Sequence, residues 1–383
     1  MEILATQTGG ESYKAHKYSL DHADRPEIDY TEDENIWDSY GEKTHYTTYV
    51  DPMANYDLQV IQNQQLFSYF LDGSRRTFKV DDIAYKKAGG RRVIYPIVAG
   101  QIGIGCCKRI DKRMTPEKFH QEFVIAVPDI ANADRKAGFS EATIKKINDC
   151  PELKRLGIRF GEILTYKTGV REMTNYEDLG TAQIQFKMSI EERNMVKDLV
   201  SQGKLNQYNY LVKDGSLEYR PTKQDKKDER AYRIFRNNYR WVIGVSKNFN
   251  PQICWDKGGK PNPGFIADLP LYYRTPVARY KNPNWFGDTK FAVWYIRLKD
   301  KSRTRTPFDG VVKVEKMLVT EKEMETGMDS EEVDYISACL IKERNPVCYG
   351  SDLRWANHIY PIYLTEKYVK SKYLSAESFL HIF

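Results

Sequence analysis

The chain has 383 residues, 41% of them hydrophobic and 29% charged, with a formal net charge of +6. That is a globular composition with no apolar run long enough to span a bilayer, and its mild basicity permits a phosphate-bearing partner without requiring one. The opening MEILATQTGGESYKAHKYS has no basic stretch followed by an apolar one, which excludes a secretory signal; six cysteines with no Cys-x-x-Cys pair and no zinc-spaced histidines predict free thiols in a reducing cytoplasm.

Residues 1–55 are polar, acidic and tyrosine-rich without steady periodicity, and are expected to form an irregular arm or cap that orders on a partner. Residues 56–383 hold the folded domain. QQLFSYFL predicts a buried strand ending at Asp72. RRVIYPIVAGQIGIGCCKRI (91–110) is β-rich, with glycines expected to break or bend it. HQEFVIAVP (120–128) predicts a strand, SEATIKKINDCPELKRL (140–156) a helix, and GIRFGEILTY (157–166) a strand. A long helix is expected over 178–201, closed by Gly203. NQYNYLVK then runs as a strand into Asp214, and the charge run 222–231 reads as a solvated loop or helix start. RAYRIFRNNY predicts a helix, RWVIGVSK a strand, and 251–270 a Pro/Gly-rich loop. Strands follow at 290–298 and 310–319, with helices around SEEVDYISACLIKE and near the C-terminus.

Two runs end alike: YFLDGS at Asp72 and YLVKDGS at Asp214. Asp-Gly is a common turn dipeptide, so each copy could be only a turn. The second reading is that both acids converge. On a helical wheel Met188, Met195, Val196 and Leu199 form one stripe with Glu192 in its middle, while Glu191 lies well to the side. A carboxylate there requires either a Lys or Arg partner or a cation. The order of strand to Asp72, further strands, helix with Glu192, strand to Asp214 is that of a ribonuclease-H-like fold: an α/β, mixed-sheet core flanked by helices, here with insertions and the N-terminal arm. In it the first and fourth strands are parallel neighbours. Asp72, Glu192 and Asp214 brought to one point would repel unless a divalent cation sat among them, and hard oxygen donors select Mg²⁺ or Mn²⁺. Paired ions of this kind support in-line attack on phosphate.

With these pieces in place, the chain resembles the NurA nuclease family. The likeness is carried by FLDGS (70–74), Glu192, YLVKDGSL (210–217), VIGVSK ending in Lys247, VWYIRL (293–298), VVKVE ending in Glu315, and the Tyr-Pro segment IYPIYL containing Tyr360. The family's histidine after the Tyr-Pro motif is missing, with Lys367 and Tyr368 in its place; His358 lies just before the motif. The stretch 129–156 reads as an insertion. The resemblance implies a metal-dependent DNA nuclease with catalytic Asp72, Glu192, Asp214 and Lys247. It also implies Glu315, His358 and Tyr360 as further site candidates, a homodimeric assembly and a HerA-type hexameric ATPase partner. The implied setting is DNA end resection or anti-phage defence. The apolar late strands are candidate dimer surfaces. Arg75 and Arg76 after the first Asp-Gly-Ser are candidate phosphate ligands. Arg233, Arg236 and Arg240, interleaved with aromatics, suit single-stranded DNA or equally the basic outer face of an amphipathic helix. A non-catalytic adaptor docking the ATPase is the alternative from another class.

Overall fold

A computed structural model describes the chain except for residues 14–16, 21–35, 55, 57–64, 87–89, 133–136, 170–174, 218–227, 252–261, 282–288, 305 and 345–356. The central part of the N-terminal arm, most of the 222–231 charge run, and Cys254 and Cys348 therefore lie outside the described residues. Cys106, Cys107, Cys150 and Cys339 are free thiols.

The described parts of the arm are built into the domain. Helix α1 (Glu2–Thr8) buries Leu4 and Ala5. Strands β1 (Gly10–Ser12) and β2 (Tyr18–Ser19) pair with the strand that carries Asp72. Strand β3 (Ile36–Tyr40) closes the far edge of the sheet. Glu42 is 1% exposed and receives two bonds of 2.9 Å from Arg274, whose Nε reaches Asp334 at 2.6 Å.

The core begins with three antiparallel strands, β4 (Phe67–Lys86), β5 (Arg92–Ile110) and β6 (Arg113–Pro128). Asp111 (φ 47) and Lys112 (φ 64) make the tight hairpin between the last two. The expected single helix over 140–156 is two, α2 (Phe139–Asn148) and α3 (Pro151–Leu156). Cys150 before Pro151 is extended (φ −58, ψ 125), as the proline ring demands of its predecessor. Strand β7 (Phe160–Tyr166) runs parallel to β6. Helix α4 (Tyr176–Ser201) is opened by Asn175, whose side chain accepts from the Glu177 amide. Then come β8 (Tyr210–Asp214), α5 (Glu229–Asn238), β9 (Val242–Ser246) and α6 (Pro263–Ala267). Next are β10 (Ala278–Lys281), β11 (Lys290–Arg297), β12 (Val311–Met317) and α7 (Glu321–Thr326). The chain ends in α8 (Ser330–Lys342), α9 (Tyr360–Lys370) and α10 (Ala376–Leu380).

Within one mixed sheet the order β6-β5-β4-β8-β9 has β8 parallel to β4 and β9 parallel to β8. That is the strand order of a ribonuclease-H-like core, extended by β12, β11, β10 and β3 beyond β9 and by β7 beyond β6. Helix α4 lies on one face, where Leu71, Leu211 and Ile104 pack with Ile184, Met188, Met195 and Val196. Helices α8 and α9 lie on the other, where Phe70, Val212 and Val245 pack with Ile336, Leu340 and Ile362.

Two expectations are corrected. The glycines of 91–110 do not interrupt β5; they let helices lie close on the sheet. A Cβ at Gly100 would come within 2.9 Å of Ile184 on α4, and one at Gly105 within 2.4 Å of Val369 on α9. The late strands β11 and β12 offer no dimer surface, because each is paired on both edges and their residues are almost wholly buried.

Candidate active site

The two Asp-Gly-Ser copies have different structures. The first is the middle of β4, with Asp72 opposite Gly105 of β5. The second ends β8, and Gly215 there takes φ +83, as a turn requires. The parallel register pairs Leu71 with Lys213, which sets Asp72 beside Asp214. Side chains alternate along a strand. Asp72 and Asp214 therefore share the face of Phe70 and Val212, under α9.

There they meet two further charges. Lys247, just past β9, places its Nζ 2.8 Å from Asp214 Oδ2 and 3.3 Å from Glu366 Oε2. Glu366 also accepts from Lys370 Nζ at 2.7 Å. Asp72 is 3% exposed, and its Oδ2 is buried without a hydrogen-bond partner. Burial, then the Asp214 and Glu366 carboxylates, push the Asp72 carboxyl well above the usual range, against the opposing pull of Lys247. Burial works against the charge of Lys247, yet Asp214, Glu366 and Asp72 together hold its ammonium above the ordinary lysine range.

Glu192 is buried on α4, as its place on the apolar stripe implies, but the structure does not bring it to the aspartates. It lies against the opposite face of the sheet, paired with Lys213 Nζ at 3.1 Å. Lys213 follows Val212 on β8 and so points away from Asp214's side chain, although its Nζ also donates to the Asp214 carbonyl at 2.8 Å. Of the two readings of an acid on an apolar stripe, the lysine partner is the one observed. Burial raises the Glu192 carboxyl, and Lys213 opposes it. Gly73 makes room for this acid: a Cβ there would stand 2.2 Å from Glu192 Oε1. The small residue after Asp72 thus makes room for a buried carboxylate.

Glu315 is on the α4 face as well. It is fully buried, accepts from Ser216 Oγ at 2.8 Å and Leu217 N at 2.7 Å, and faces Lys313 Nζ at 2.6 Å. Burial alone would raise its carboxyl; Lys313 and these donors hold it below the usual value. Its role is to fix the turn after Asp214. His358 is 2% exposed, edge-on to Tyr363 with centroids 5.3 Å apart, and Tyr360 is 39% exposed at the start of α9.

The arginines are dispersed. Arg75 Nε donates to Gln185 Oε1 at 2.6 Å; Arg76 donates to the Leu374 carbonyl at 3.1 Å and lies over the Tyr373 ring. On α5, Tyr232 and Phe235 are buried while Arg233 is exposed. Arg236 reaches Met324 Sδ at 3.3 Å, and Arg240 lies over Trp241. This is an amphipathic helix with a basic outer side. It packs on the α4 face, away from Asp72, and Arg193 of α4 covers the Phe235 ring.

Sequence reasoning missed Lys213 and Glu366. Glu366 carried the same signal as Glu192: Pro361, Ile362, Thr365 and Val369 form the buried side of α9, and Glu366 falls among them. A further group was also missed. Among the described residues, only His120, Glu122 and Glu191 have three metal-ligating atoms all within 4.8 Å of one another. Lys187 neutralises that group, 2.9 Å from Glu191, 3.4 Å from Glu122 and 3.0 Å from Glu162.

No family model and no curated protein matches the sequence. Among solved structures the chain is similar to the NurA nuclease from Sulfolobus solfataricus, with a TM-score of 0.40 and 11% identity over 84% of this chain and 86% of that one. No described helix is long and apolar enough to cross a membrane.

Proposed function

We propose that the chain is a divalent-metal-dependent deoxyribonuclease whose site is Asp72, Asp214, Glu366 and Lys247. One observation carries this reading: two aspartates side by side on adjacent parallel strands of a ribonuclease-H-like core, with a third carboxylate supplied from a helix above them. The donor chemistry fits a hard cation, although the oxygens of Asp72, Asp214 and Glu366 do not all lie within 4.8 Å of one another and would have to draw together around it. Asp72 Oδ2 is a buried oxygen lacking a donor, and the acids around it are the oxygen ligands that Mg²⁺ or Mn²⁺ prefers. Asp72, Asp214 and Glu366 would hold the ion. When bound, it would supply Lewis acidity and charge neutralisation for phosphodiester hydrolysis. Lys247, released from Asp214, would neutralise a non-bridging phosphate oxygen and stabilise charge on the leaving strand.

One observation favours a second reading, the non-catalytic adaptor. The acids are buried, and Lys247 already bridges Asp214 and Glu366, so a site of this kind can be charge-balanced without metal. The two are separated by degradation of linear DNA in Mn²⁺ or Mg²⁺. As a nuclease, the purified chain cleaves, and Asp72→Asn, Asp214→Asn and Glu366→Gln each abolish cleavage in folded protein. Glu192→Gln, on the other face, leaves it. Wild-type cleavage by Asp214→Asn sinks the nuclease site; no cleavage by the wild type under either metal favours the adaptor. From the same sequence resemblance we also propose a HerA-type hexameric ATPase and a second copy of the chain as partners, and DNA end processing or anti-phage defence as the setting. Co-purification with such an ATPase and sedimentation of the pure chain test these.

A further inference from the structure

At the end of β11 the chain forms a cleft of about 500 Å³ that the active-site reading does not use. Lys299, Arg303 and Arg344 line it, with Asp300 the acid among the lining residues and Tyr272 and Leu298 supplying apolar surface. Asp300 is engaged locally: its Oδ1 accepts from Ser302 N at 2.9 Å and Ser302 Oγ at 2.6 Å. Among the described lining residues, three cations stand against one carboxylate. Lys299 feels this directly: burial, then Arg344 and Arg303, lower its ammonium below the ordinary lysine value.

The walls are held in place. Arg297, fully buried, spends its guanidinium on carbonyls: Leu269 at 2.6 Å, Pro307 at 2.8 Å, and Ala267 and Asp309 at 3.1 Å. Its own carbonyl accepts from Tyr272 N at 2.9 Å. Tyr272 has φ +65, a left-handed backbone that a large side chain adopts only when its surroundings impose it. Its ring lies 4.8 Å from the Arg344 guanidinium. A fixed, concave, net-positive site with an aromatic and a leucine beside the charges has the size and chemistry for a phosphorylated nucleoside.

We propose that this cleft binds the phosphate of a nucleotide unit, with Lys299 and Arg303 as the phosphate ligands and Arg344, stacked on Tyr272, as the third cation. The unit is either the phosphorylated end of a nucleic-acid strand or a free nucleotide. A run of hydrogen bonds links the cleft wall to the backbone of Lys247: Leu298 N donates to Gly310 O at 2.6 Å, Gly310 N to Asn357 Oδ1 at 2.8 Å, and Asn357 Nδ2 to Lys247 O at 3.2 Å.

The test is equilibrium binding by the full chain in EDTA, where no metal-dependent cleavage enters, so its outcome is independent of the nuclease reading. The probes are AMP against adenosine by calorimetry, and 3′-labelled dT10 with a 5′-phosphate against 5′-hydroxyl dT10 by anisotropy. A phosphate preference that falls at least about tenfold in Lys299→Met/Arg303→Ser supports the proposal. Preference for AMP assigns a free nucleotide; preference confined to phosphorylated dT10 assigns a strand end. Arg303→Glu alone, at an exposed position, repeats the test if the double variant does not fold. No phosphate preference in the wild type, or one unchanged in the folded variants, overturns it.

Discussion

Asp72→Asn should make the metal-free protein more stable while removing its response to metal. The Asp72 carboxyl is buried, its Oδ2 has no donor, and burial together with Asp214 and Glu366 raises it well above the ordinary value of 3.8. A raised acid costs stability once the unfolded chain ionises. Below pH 3.8 both states hold the proton and the cost is absent; it grows as pH rises toward the folded value and is full beyond it. Each unit of upward shift is worth about 1.4 kcal/mol. Asparagine removes that cost and offers an amide donor to the neighbouring carboxylates. At pH 8 in EDTA the variant should therefore be more stable than the wild type, with the gain fading as pH falls toward 4. For 383 residues, unfolding entropy is on the order of 0.8 kcal/mol/K, so each kcal/mol gained should raise Tm by about 1 °C. With Mn²⁺ the sign reverses. Ion at about 100 times its Kd stabilises the wild type by about 2.7 kcal/mol, and the variant should lose most of that. Guanidinium denaturation at pH 5 and pH 8, with EDTA and with Mn²⁺, reads both effects. A variant less stable than wild type in EDTA at pH 8, with an unchanged Mn²⁺ response, refutes the reasoning.

Other outcomes follow from the same geometry. Gly73→Ala drives a methyl into Glu192 Oε1, 2.2 Å from the ideal Cβ, and should cost about 2–4 kcal/mol by chemical denaturation; made on Glu192→Ala, it should cost little more than that change alone. Arg274→Met leaves Glu42 and Asp334 buried without their cation and should destabilise by about 3–5 kcal/mol, measured the same way. His120 is held above its ordinary 6.5 first by the Glu122 carboxylate 3.7 Å away, against burial and with help from Glu191. Its NMR titration midpoint should lie above 6.5 and return toward it in Glu122→Gln. Any stability from that pair should be present below pH 6.5 and lost as pH rises through the raised value.

The sequence by itself determined the elements and much of their meaning. Apolar runs, caps and glycines placed the β8, β9 and α4 segments close to where they form and found the start of β4, though not its run beyond Asp72 to Lys86, and the order of elements announced the ribonuclease-H-like core. Glu192 was legible as a buried acid because helical spacing is local, and the two aspartates were legible because each ends or interrupts an apolar run. Tertiary structure decided which charges meet. Strand alternation sends Asp72 and Asp214 to one face and Lys213 to the other, and α4 carries Glu192 to Lys213 rather than to the aspartates. Glu366 arrives from a helix nearly 300 residues beyond Asp72 in the sequence, and Lys247 reaches both Asp214 and Glu366. No local pattern encodes such pairings. A buried charge fixes only that some opposite charge or cation must compensate it. Which one does so depends on the sheet face and on the helix that packs against it.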